Sequence, residues 1–392
     1  MTDAVILDAI RTPIGKRKGA LSGWHPTDLL GHVLSSLVER NGIDPAIVDD
    51  VIGGCVTQSG EQGTNVTRNA WVAAGLPQSV AATSVDRQCG SSQQAVHFAA
   101  QGVMAGAYDL VIACGVESMT RAPMASNARG GTGPFSPAFL AACDNQLKMQ
   151  FEVAQKIAND WGITRAEMDA FAIESHRRAS EAQKAGAFKR EIVPITLRDE
   201  EGKDTGVVMT DDEGIRHETS AEKMASLPSA HFVPEDAPDI TAGNSSQMND
   251  GAAAMLIASP EMAEKLGLRP RAKFRHFAVG ADSAVWVLTA PNPVTRKLYA
   301  KTGLKTEDFD AIEVNEAFAS ITMAWEREFK PEPEKLNPRG GAIAIGHPLG
   351  ASGIRLMTTM LHYLEDTGGM LGLQTMCEGG GQANVTVIER LG

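Results

Sequence analysis

Leu37-Val-Glu-Arg-Asn-Gly-Ile43, followed by Asp50-Val-Ile-Gly-Gly54, has a counterpart later in the chain. The counterpart is Leu298-Tyr-Ala-Lys-Thr-Gly-Leu304, followed by Ala311-Ile-Glu-Val-Asn315. In both places the end of a predicted helix and a glycine lead into a short apolar strand. The two stretches align without a gap at an offset of 261 residues.

Two further features align in the same order. The turn and helix at Cys89 match those at His347 at an offset near 258. The strand ending at Cys114 matches the strand ending at Cys377 at an offset of 263. Because the offset is nearly constant although identity is low, we interpret the chain as a duplicated domain rather than a chance similarity.

Short apolar strands alternate with amphipathic helices along the chain. Strands are predicted at residues 4–7, 51–53, 110–113, 311–314, 370–373 and 385–388. Helices are predicted between them, for example over residues 27–40 and 353–365. This alternation predicts an α/β fold.

The composition excludes several classes of protein. The 392 residues suffice for two or three compact units. A net charge of −12 and an aromatic content of 5% argue against nucleic acid and anionic membranes as partners. The five cysteines are odd in number and include no C-x-x-C pair, which predicts free thiols, a reducing compartment and no zinc site. A strand-like start and the lack of a long apolar stretch predict no signal peptide and no membrane span, so we expect a cytoplasmic protein.

The middle of the chain differs from its flanks. One residue in three is charged between residues 144 and 236, against fewer than one in five elsewhere. A solvated insertion explains this composition, and so does a lid over a ligand site. We therefore predict a first half at residues 1–118, an inserted domain at 119–250 and a second half at 251–392.

Glycines gather at four turns, at residues 87–92, 244–251, 340–350 and 377–381, and the first turn contains Cys89. Arg87-Gln-Cys-Gly-Ser-Ser92 precedes a helix predicted over residues 93–104. The positive end of a helix dipole lowers the pKa of a thiol, which makes Cys89 a candidate nucleophile. A small buried thiol is the alternative.

Three more candidates lie at the ends of predicted elements. His347 stands on a glycine-proline turn that fixes its orientation, with an exposed turn histidine as the alternative. Cys377 ends a buried strand before Gly379-Gly-Gly381, whose free N–H groups suit an oxyanion, with a flexible loop as the alternative. Asn315 ends another strand and is either a donor to a carbonyl oxygen or a helix N-cap.

Four motifs, in this order, resemble those of the thiolase family over essentially the whole chain: R-Q-C-G-S at 87–91, V-N-E-A-F-A at 314–319, G-G-A-I-A-I-G-H-P-L-G-A-S-G at 340–353 and C-E-G-G-G-Q at 377–382. The resemblance implies two βαβαβαββ halves in a five-layer α-β-α-β-α sandwich, with the insertion as a loop domain that covers coenzyme A. It also implies an acyltransferase with coenzyme A and acyl-CoA as substrates, no cofactor or metal, and a homodimeric or homotetrameric assembly.

The resemblance assigns a role to each candidate. Cys89 matches the nucleophile that takes the acyl group, and His347 matches the base that activates it and later the thiol of coenzyme A. Cys377 matches the acid/base at the α-carbon of the acetyl-CoA unit. Asn315 matches the residue that positions a water, which forms one oxyanion hole with His347; the N–H groups of Cys89 and Gly379 match the second. Cleavage of a C–C bond beside a ketone requires these functions in any fold.

The resemblance also indicates where coenzyme A binds. Arg216 and Thr219 resemble the R-x-x-T stretch of the family, and Ser246 resembles the serine at the pantetheine site. Met149 lies where the family has a histidine-methionine pair along the acyl-CoA tunnel.

The predicted acyl pocket departs from the family pattern. Lys148-Met-Gln150 lacks the tunnel histidine, and Val287-Leu-Thr-Ala-Pro291 replaces the stretch M-G-x-G-P. We predict that Trp286, Leu288 and Phe318 line this pocket. The run Gly53-Gly-Cys-Val-Thr-Gln58 resembles degradative bacterial thiolases, including those that act on sterol side chains.

Four functions were compared on these grounds. The leading one is thiolytic cleavage of 3-ketoacyl-CoA to acetyl-CoA and a shortened acyl-CoA, and its reverse, condensation to acetoacetyl-CoA, is an alternative. A β-ketoacyl synthase would use Cys-His-His, so Asn315 and Cys377 argue against it. A catalytically silent protein that binds coenzyme A or lipid would not need Cys89, His347, Asn315 and Cys377 together.

Overall fold

The computed structural model describes residues 2–230 and 239–392. The strands in this part are β1 (Val5–Arg11), β2 (Gly15–Lys16), β3 (Asp50–Gly54), β4 (Ala81–Val85), β5 (Leu110–Ser118), β6 (Ile195–Arg198), β7 (Asp204–Met209), β8 (Asn249–Ala258), β9 (Ala272–Ala281), β10 (Ala311–Val314), β11 (Leu371–Glu378) and β12 (Gln382–Arg390). The α-helices are α1 (Pro26–Asn41), α2 (Val66–Ala73), α3 (Ser91–Met104), α4 (Pro137–Ala142), α5 (Gln150–Asp160), α6 (Arg165–Lys184), α7 (Ala221–Ala225), α8 (Pro260–Leu266), α9 (Pro291–Thr302), α10 (Ala319–Phe329) and α11 (Ser352–Thr367).

The main sheet repeats one topology twice. Its strand order is β10-β11-β12-β9-β1-β8-β5-β3-β4, with β2 on β8. In the first half β3 and β5 are parallel, and β5, β8 and β1 follow in antiparallel pairs. In the second half β10 and β11 are parallel, and β11, β12 and β9 follow in the same way. This identity of pairing confirms the predicted duplication.

The register of the parallel pairs β3–β5 and β10–β11 gives a single offset between equivalent residues of the two halves. Asp50 pairs with Val111, and Ala311 pairs with Gly372, so each partner lies 261 residues from its equivalent. The helices α3 and α11 also begin 261 residues apart. The predicted offsets of 258 and 263 are therefore wrong, because they matched residues by chemical type instead of by register. The equivalent of Cys89 is Gly350.

The elements form the predicted five layers. The helices α3 and α11 pack in the centre against the inner faces of both half-sheets, with apolar side chains from β1, β8 and β9. The helices α1 and α2 cover the outer face of the first half, and α9 and α10 cover that of the second. The two half-sheets are joined where Val5 and Ile6 of β1 pair with Lys273 and Ala272 of β9.

One strand of the implied βαβαβαββ pattern is complete in the first half but not in the second. In the first half β4 pairs in parallel with β3 along its length. In the second half, among the described residues, a single parallel bridge between Ile312 and Leu336 takes that place. The chain then continues into the glycine-rich segment 340–350, which carries His347.

The insertion between β5 and β8 is fixed to the body by a buried ion pair. Arg11 of β1 donates from Nε to Glu191 (2.8 Å) and from both terminal nitrogens to Asp212 (2.7 and 2.9 Å). The helices α5 and α6 pack with α10 of the second half. The division at residue 250 stays a prediction; β8, which crosses that position, lies between β1 and β5. Within the described residues no helix is long and apolar enough to cross a membrane.

Candidate active site

Cys89 lies in the tight turn before α3. Gln88 has a left-handed φ of 48°, and the Cys89 side chain is buried. The backbone N–H groups of Cys89 and Gly379 favour the thiolate, but burial and the Glu378 carboxylate oppose it and raise the thiol pKa to about 12. The predicted lowering of this pKa is therefore wrong, because burial outweighs the helix N-terminus. Cys89 needs a base to ionise it.

His347 is buried and held from two sides. The backbone N–H group of His347 donates to Oδ1 of Asn249 (2.9 Å). The Nδ1 atom of its imidazole lies 2.6 Å from Oγ of Ser352. The Ser352 hydroxyl donates its own proton to the Pro348 carbonyl (2.8 Å), so its oxygen accepts the Nδ1–H proton of His347. This tautomer leaves Nε2 with a lone pair. Burial excludes the alternative of an exposed turn histidine.

The Nε2 lone pair of His347 faces Asn315. The Nδ2 atom of Asn315 lies 3.3 Å from Nε2, and Oδ1 of Asn315 is buried without a partner among the described residues. Burial, with a smaller effect of Arg355, lowers the pKa of His347 to about 3, so the imidazole is neutral at neutral pH. Asn315 is not a helix cap, since α10 begins at Ala319 with Phe318 as its N-cap.

Cys377 is the second buried thiol of the site. Burial, the nearby Cys89 and Glu378 raise its pKa well above the ordinary value, so it carries a proton at neutral pH. The glycines after it form a fixed hairpin turn rather than a flexible loop. Gly380 and Gly381 have left-handed φ angles of 78° and 76°, and the Gly381 carbonyl accepts from the Asp282 N–H group (2.8 Å).

Glu316, which the sequence analysis missed, anchors the segment that carries His347. Its carboxylate accepts from Ser175 Oγ (2.7 Å), Asn337 Nδ2 (3.0 Å) and the Ile343 N–H group (3.1 Å). A Cβ atom on Gly341 would lie 2.3 Å from this carboxyl group, which explains a glycine there. The available signal was the position of Glu316 directly after Asn315 in the motif V-N-E-A-F-A.

The predicted coenzyme A residues lie on segments tied to this site. The Ser246 N–H group donates to the Ala317 carbonyl (2.9 Å), two residues after Asn315. The Gln247 amide donates to the carbonyls of Gly214 and Ile343, both at 3.0 Å. The segment with Arg216 and Thr219, which follows Gly214, is thereby joined to the histidine segment.

Two of the predicted coenzyme A residues are open to solvent. Arg216 is exposed, and among the described residues only its backbone N–H group has a partner, Nδ1 of His176 (3.1 Å). Met149 is 51% exposed at the N-cap of α5. Both side chains are accessible to a ligand that lies over the insertion.

The predicted acyl-pocket residues share one apolar cluster with Cys377. Leu288 and Phe318 are buried in it, and Trp286 is partly buried against it. Phe151 of α5 packs edge-on against Phe318 with ring centres 5.3 Å apart. A cavity of about 170 Å³ borders the same cluster at Leu288, between α5 and α10.

Within the described residues no group of three or more His, Cys, Asp or Glu side chains could hold a metal ion.

Comparisons with known proteins agree with this architecture. Residues 4–261 match the family model of the thiolase N-terminal domain, and residues 268–390 match that of the thiolase C-terminal domain. The chain is 48% identical over 398 residues to the steroid 3-ketoacyl-CoA thiolase of Mycobacterium tuberculosis, covering 100% of this chain and 95% of that protein. It is 42% identical to the β-ketoadipyl-CoA thiolase of Pseudomonas aeruginosa, covering 99% of each.

A solved structure shows the same fold. The acetyl-CoA acetyltransferase of Bacillus anthracis superimposes with a TM-score of 0.89 at 34% identity, covering 100% of this chain and 99% of that one. The two family models, the identity to curated relatives over the full length and this structural match lead to one conclusion. The chain belongs to the thiolase family and is an acyltransferase.

Proposed function

We propose that the protein catalyses CoA-dependent thiolysis of 3-ketoacyl-CoA, giving acetyl-CoA and an acyl-CoA that is two carbons shorter. One observation supports the proposal: Cys89, His347, Asn315 and Cys377 come from two halves of the chain and are all buried, with Cys89 near Cys377 and Asn315 3.3 Å from His347. Two thiols of raised pKa beside a neutral imidazole suit a reaction that moves protons between sulfur, nitrogen and carbon.

The first half-reaction cleaves the C–C bond. Nε2 of His347 takes the proton of Cys89, and the thiolate attacks the ketone carbon of the substrate. The bond between this carbon and the α-carbon breaks, and Cys377 gives its proton to the α-carbon, releasing acetyl-CoA. The N–H groups of Cys89 and Gly379 stabilise one oxyanion, and a water held by Asn315 with His347 stabilises the other.

The second half-reaction transfers the acyl group. Protonated His347 first returns its proton to the Cys377 thiolate. Its neutral Nε2 atom then takes the proton of the coenzyme A thiol, which attacks the acyl-Cys89 thioester. The Cys89 sulfur leaves and takes its proton back from His347. Both cysteines and the histidine return to their starting protonation states, so the cycle needs no cofactor. We place coenzyme A along Arg216, Thr219, Ser246 and Met149.

We propose an acyl group larger than that of acetoacetyl-CoA as the substrate. The tunnel segment Lys148-Met-Gln150 lacks the family histidine, and Val287-Leu-Thr-Ala-Pro291 replaces the family stretch M-G-x-G-P. The relatives from Mycobacterium tuberculosis and Pseudomonas aeruginosa are named for a steroid and a β-ketoadipyl substrate, both larger than acetoacetyl. Condensation of two acetyl units would leave such a pocket unfilled.

Homodimeric or homotetrameric assembly and a cytoplasmic location remain predictions from the sequence.

A two-part assay tests the proposed function. The purified protein is incubated with a 3-ketoacyl-CoA, with and without coenzyme A, and both CoA products are measured by mass spectrometry. Acetyl-CoA and the shortened acyl-CoA should form in equal amounts only with coenzyme A, and peptide mapping should find the acyl group on Cys89 without it. If binding occurs with no product and no acylation, the silent CoA-binding protein is the better description.

A further inference from the structure

Glu378 lies beside both cysteines and takes no part in the proposed mechanism. It is the last residue of β11, directly after Cys377, and its side chain is fully buried. A Cβ atom on Gly90 would lie 1.9 Å from its Oε1 atom, so the carboxyl group packs against the residue that follows Cys89. Among the described residues neither carboxyl oxygen has a hydrogen-bond partner.

The duplication supplies a direct comparison, because Glu117 is the equivalent of Glu378 at the common offset of 261. The Glu117 carboxylate reaches across to the other half and accepts from the N–H group of Gly350, the equivalent of Cys89 (2.9 Å). It accepts three more hydrogen bonds, from the Gln62 amide (2.8 Å) and the N–H groups of Val56 (2.9 Å) and Thr57 (3.0 Å). Glu117 is thus a bonded structural anchor, whereas Glu378 reaches the Cys89 turn with no donor.

A buried carboxyl group without donors is more stable when it is neutral. Burial raises the pKa of Glu378 to about 8, although the positive charge of Arg87 opposes the rise. Arg87 and Cys89 face Glu378 from the turn before α3, and Cys377 precedes it on its own strand. His97 of α3 adds no charge, since burial lowers its pKa to about 3. Among the described residues, the neighbouring strand β12 contributes the neutral amides Gln382 and Asn384, which bond to Arg87 and to the Gly90 carbonyl.

We propose that Glu378 controls the ionisation of the two active-site cysteines through its own protonation state. As a neutral acid it permits a thiolate at Cys89 and at Cys377 during the cycle. Once ionised it opposes both thiolates by like-charge repulsion. Glu378 acts through the cysteines and does not react with the substrate. The inference rests on the proposed function for its meaning in catalysis, but not for its test.

The test compares the wild-type protein with Glu378→Gln, which keeps the shape but cannot ionise. The rate of Cys89 alkylation by iodoacetamide is measured against pH by peptide mass spectrometry. Below the pKa of Glu378 the two proteins should react at similar rates. At about pH 9 the variant should react on the order of tenfold faster, because it lacks the like charge that raises the pKa of Cys89. Glu389→Gln, which removes a half-buried carboxylate of β12 that is paired with Arg275, is the matched control and should follow the wild type.

Further variants cover a failure of Glu378→Gln to fold. Glu378→Ala is also permanently neutral and should share the faster alkaline reaction, whereas Glu378→Asp can ionise and should follow the wild type. Superimposed pH profiles for the wild type and the neutral variant overturn the inference. Iodoacetamide does not require the proposed reaction, so the two proposals fail separately. A protein without thiolase activity but with distinct profiles overturns only the function, and an active enzyme with identical profiles overturns only the role of Glu378.

Discussion

The turns before α3 and α11 occupy equivalent places in the two halves but carry different chemistry. At the common offset Cys89 corresponds to Gly350, and His347 corresponds to Asp86. The two helix starts touch, since the Ile354 N–H group donates to Oγ of Ser92 (3.1 Å). In the proposed mechanism one turn therefore supplies the nucleophile and the other the base. On that proposal the two halves contribute different groups to one site.

The halves also differ in how they hold these turns. The first half keeps β4 as a complete edge strand before the Cys89 turn. In the second half the corresponding chain packs against the insertion: a Cβ atom on Gly340 would lie 2.5 Å from the Ser175 carbonyl of α6. The histidine segment thus depends on contacts with the insertion, while the cysteine turn depends on the sheet. We therefore expect mutations in the insertion to affect the His347 segment, and mutations in the first half-sheet to affect the Cys89 turn.

Removing the nucleophile should have the largest effect. Cys89→Ala should lower thiolysis on the order of 10⁴-fold or more and abolish the covalent acyl adduct, because the remaining groups cannot replace a covalent step. Steady-state assays and intact-protein mass spectrometry measure both results. The control is Cys114→Ala, which removes a buried thiol of the first half-sheet. This variant should still be acylated on Cys89. An adduct on Cys55, Cys114 or Cys143 in an active enzyme would show that Cys89 is not the nucleophile.

Removing the proposed acid, Cys377, should have a larger effect than changing its equivalent in the first half. Cys377→Ala should retain acylation of Cys89 from a simple acyl-CoA but lower C–C cleavage and α-proton exchange by about 10²–10⁴-fold. Product analysis and deuterium exchange into acetyl-CoA measure the loss. Val116→Ala changes the equivalent residue of the first half and should leave proton exchange intact. Near-normal thiolysis by Cys377→Ala would contradict the acid/base role.

Much of this comparison could be predicted from the sequence, because the motifs place Cys89, Asn315, His347 and Cys377 at strand and helix ends. Alignment of Asp50–Gly54 with Ala311–Asn315 also predicts the duplication at the correct offset. The remaining errors have physical causes. Matching Cys89 to His347 by chemistry shifted the register, and the position of a thiol at a helix start does not reveal how deeply it is buried.

Residues that act through long-range contacts were missed. Glu117 and Glu378 cannot be distinguished in the sequence, since each is an acidic residue near the end of an apolar strand. Their different environments depend on hydrogen-bond donors more than fifty residues away, such as the N–H group of Val56 for Glu117. The residues that orient His347, Asn249 and Ser352, lie in glycine-rich motifs that predict a site but not the partner of each atom.

The residues proposed for the acyl pocket, Trp286, Leu288 and Phe318, share a cluster with helices of the insertion and the second half. The altered pocket motifs predict a preference in substrate size. We expect higher kcat/KM for C8 and steroid side-chain 3-ketoacyl-CoA than for acetoacetyl-CoA. Burial contributes about 0.8 kcal/mol per methylene, so four carbons favour the longer substrate by roughly a hundredfold. Thiolysis rates across this series measure the preference. Leu288→Phe should fill part of the pocket and reduce it, and a clear preference for the C4 substrate in the wild type would contradict the proposed pocket.

The smallest predicted effect concerns the two serines that start the central helices. Ser352 accepts the Nδ1–H proton of His347, whereas its equivalent, Ser91, accepts from the Arg87 N–H group (2.9 Å) within its own turn. Ser352→Ala leaves Nδ1–H without its partner and frees the ring, so acylation of Cys89 should slow about tenfold, consistent with the loss of one buried hydrogen bond. Ser91→Ala should lower Tm and slow acylation less. Rapid-quench acylation and thermal unfolding of both variants measure the difference. The two serines occupy equivalent places in the fold and differ in their hydrogen-bond partners. Equal acylation rates in the two variants would therefore mean that the orientation of His347 does not depend on Ser352.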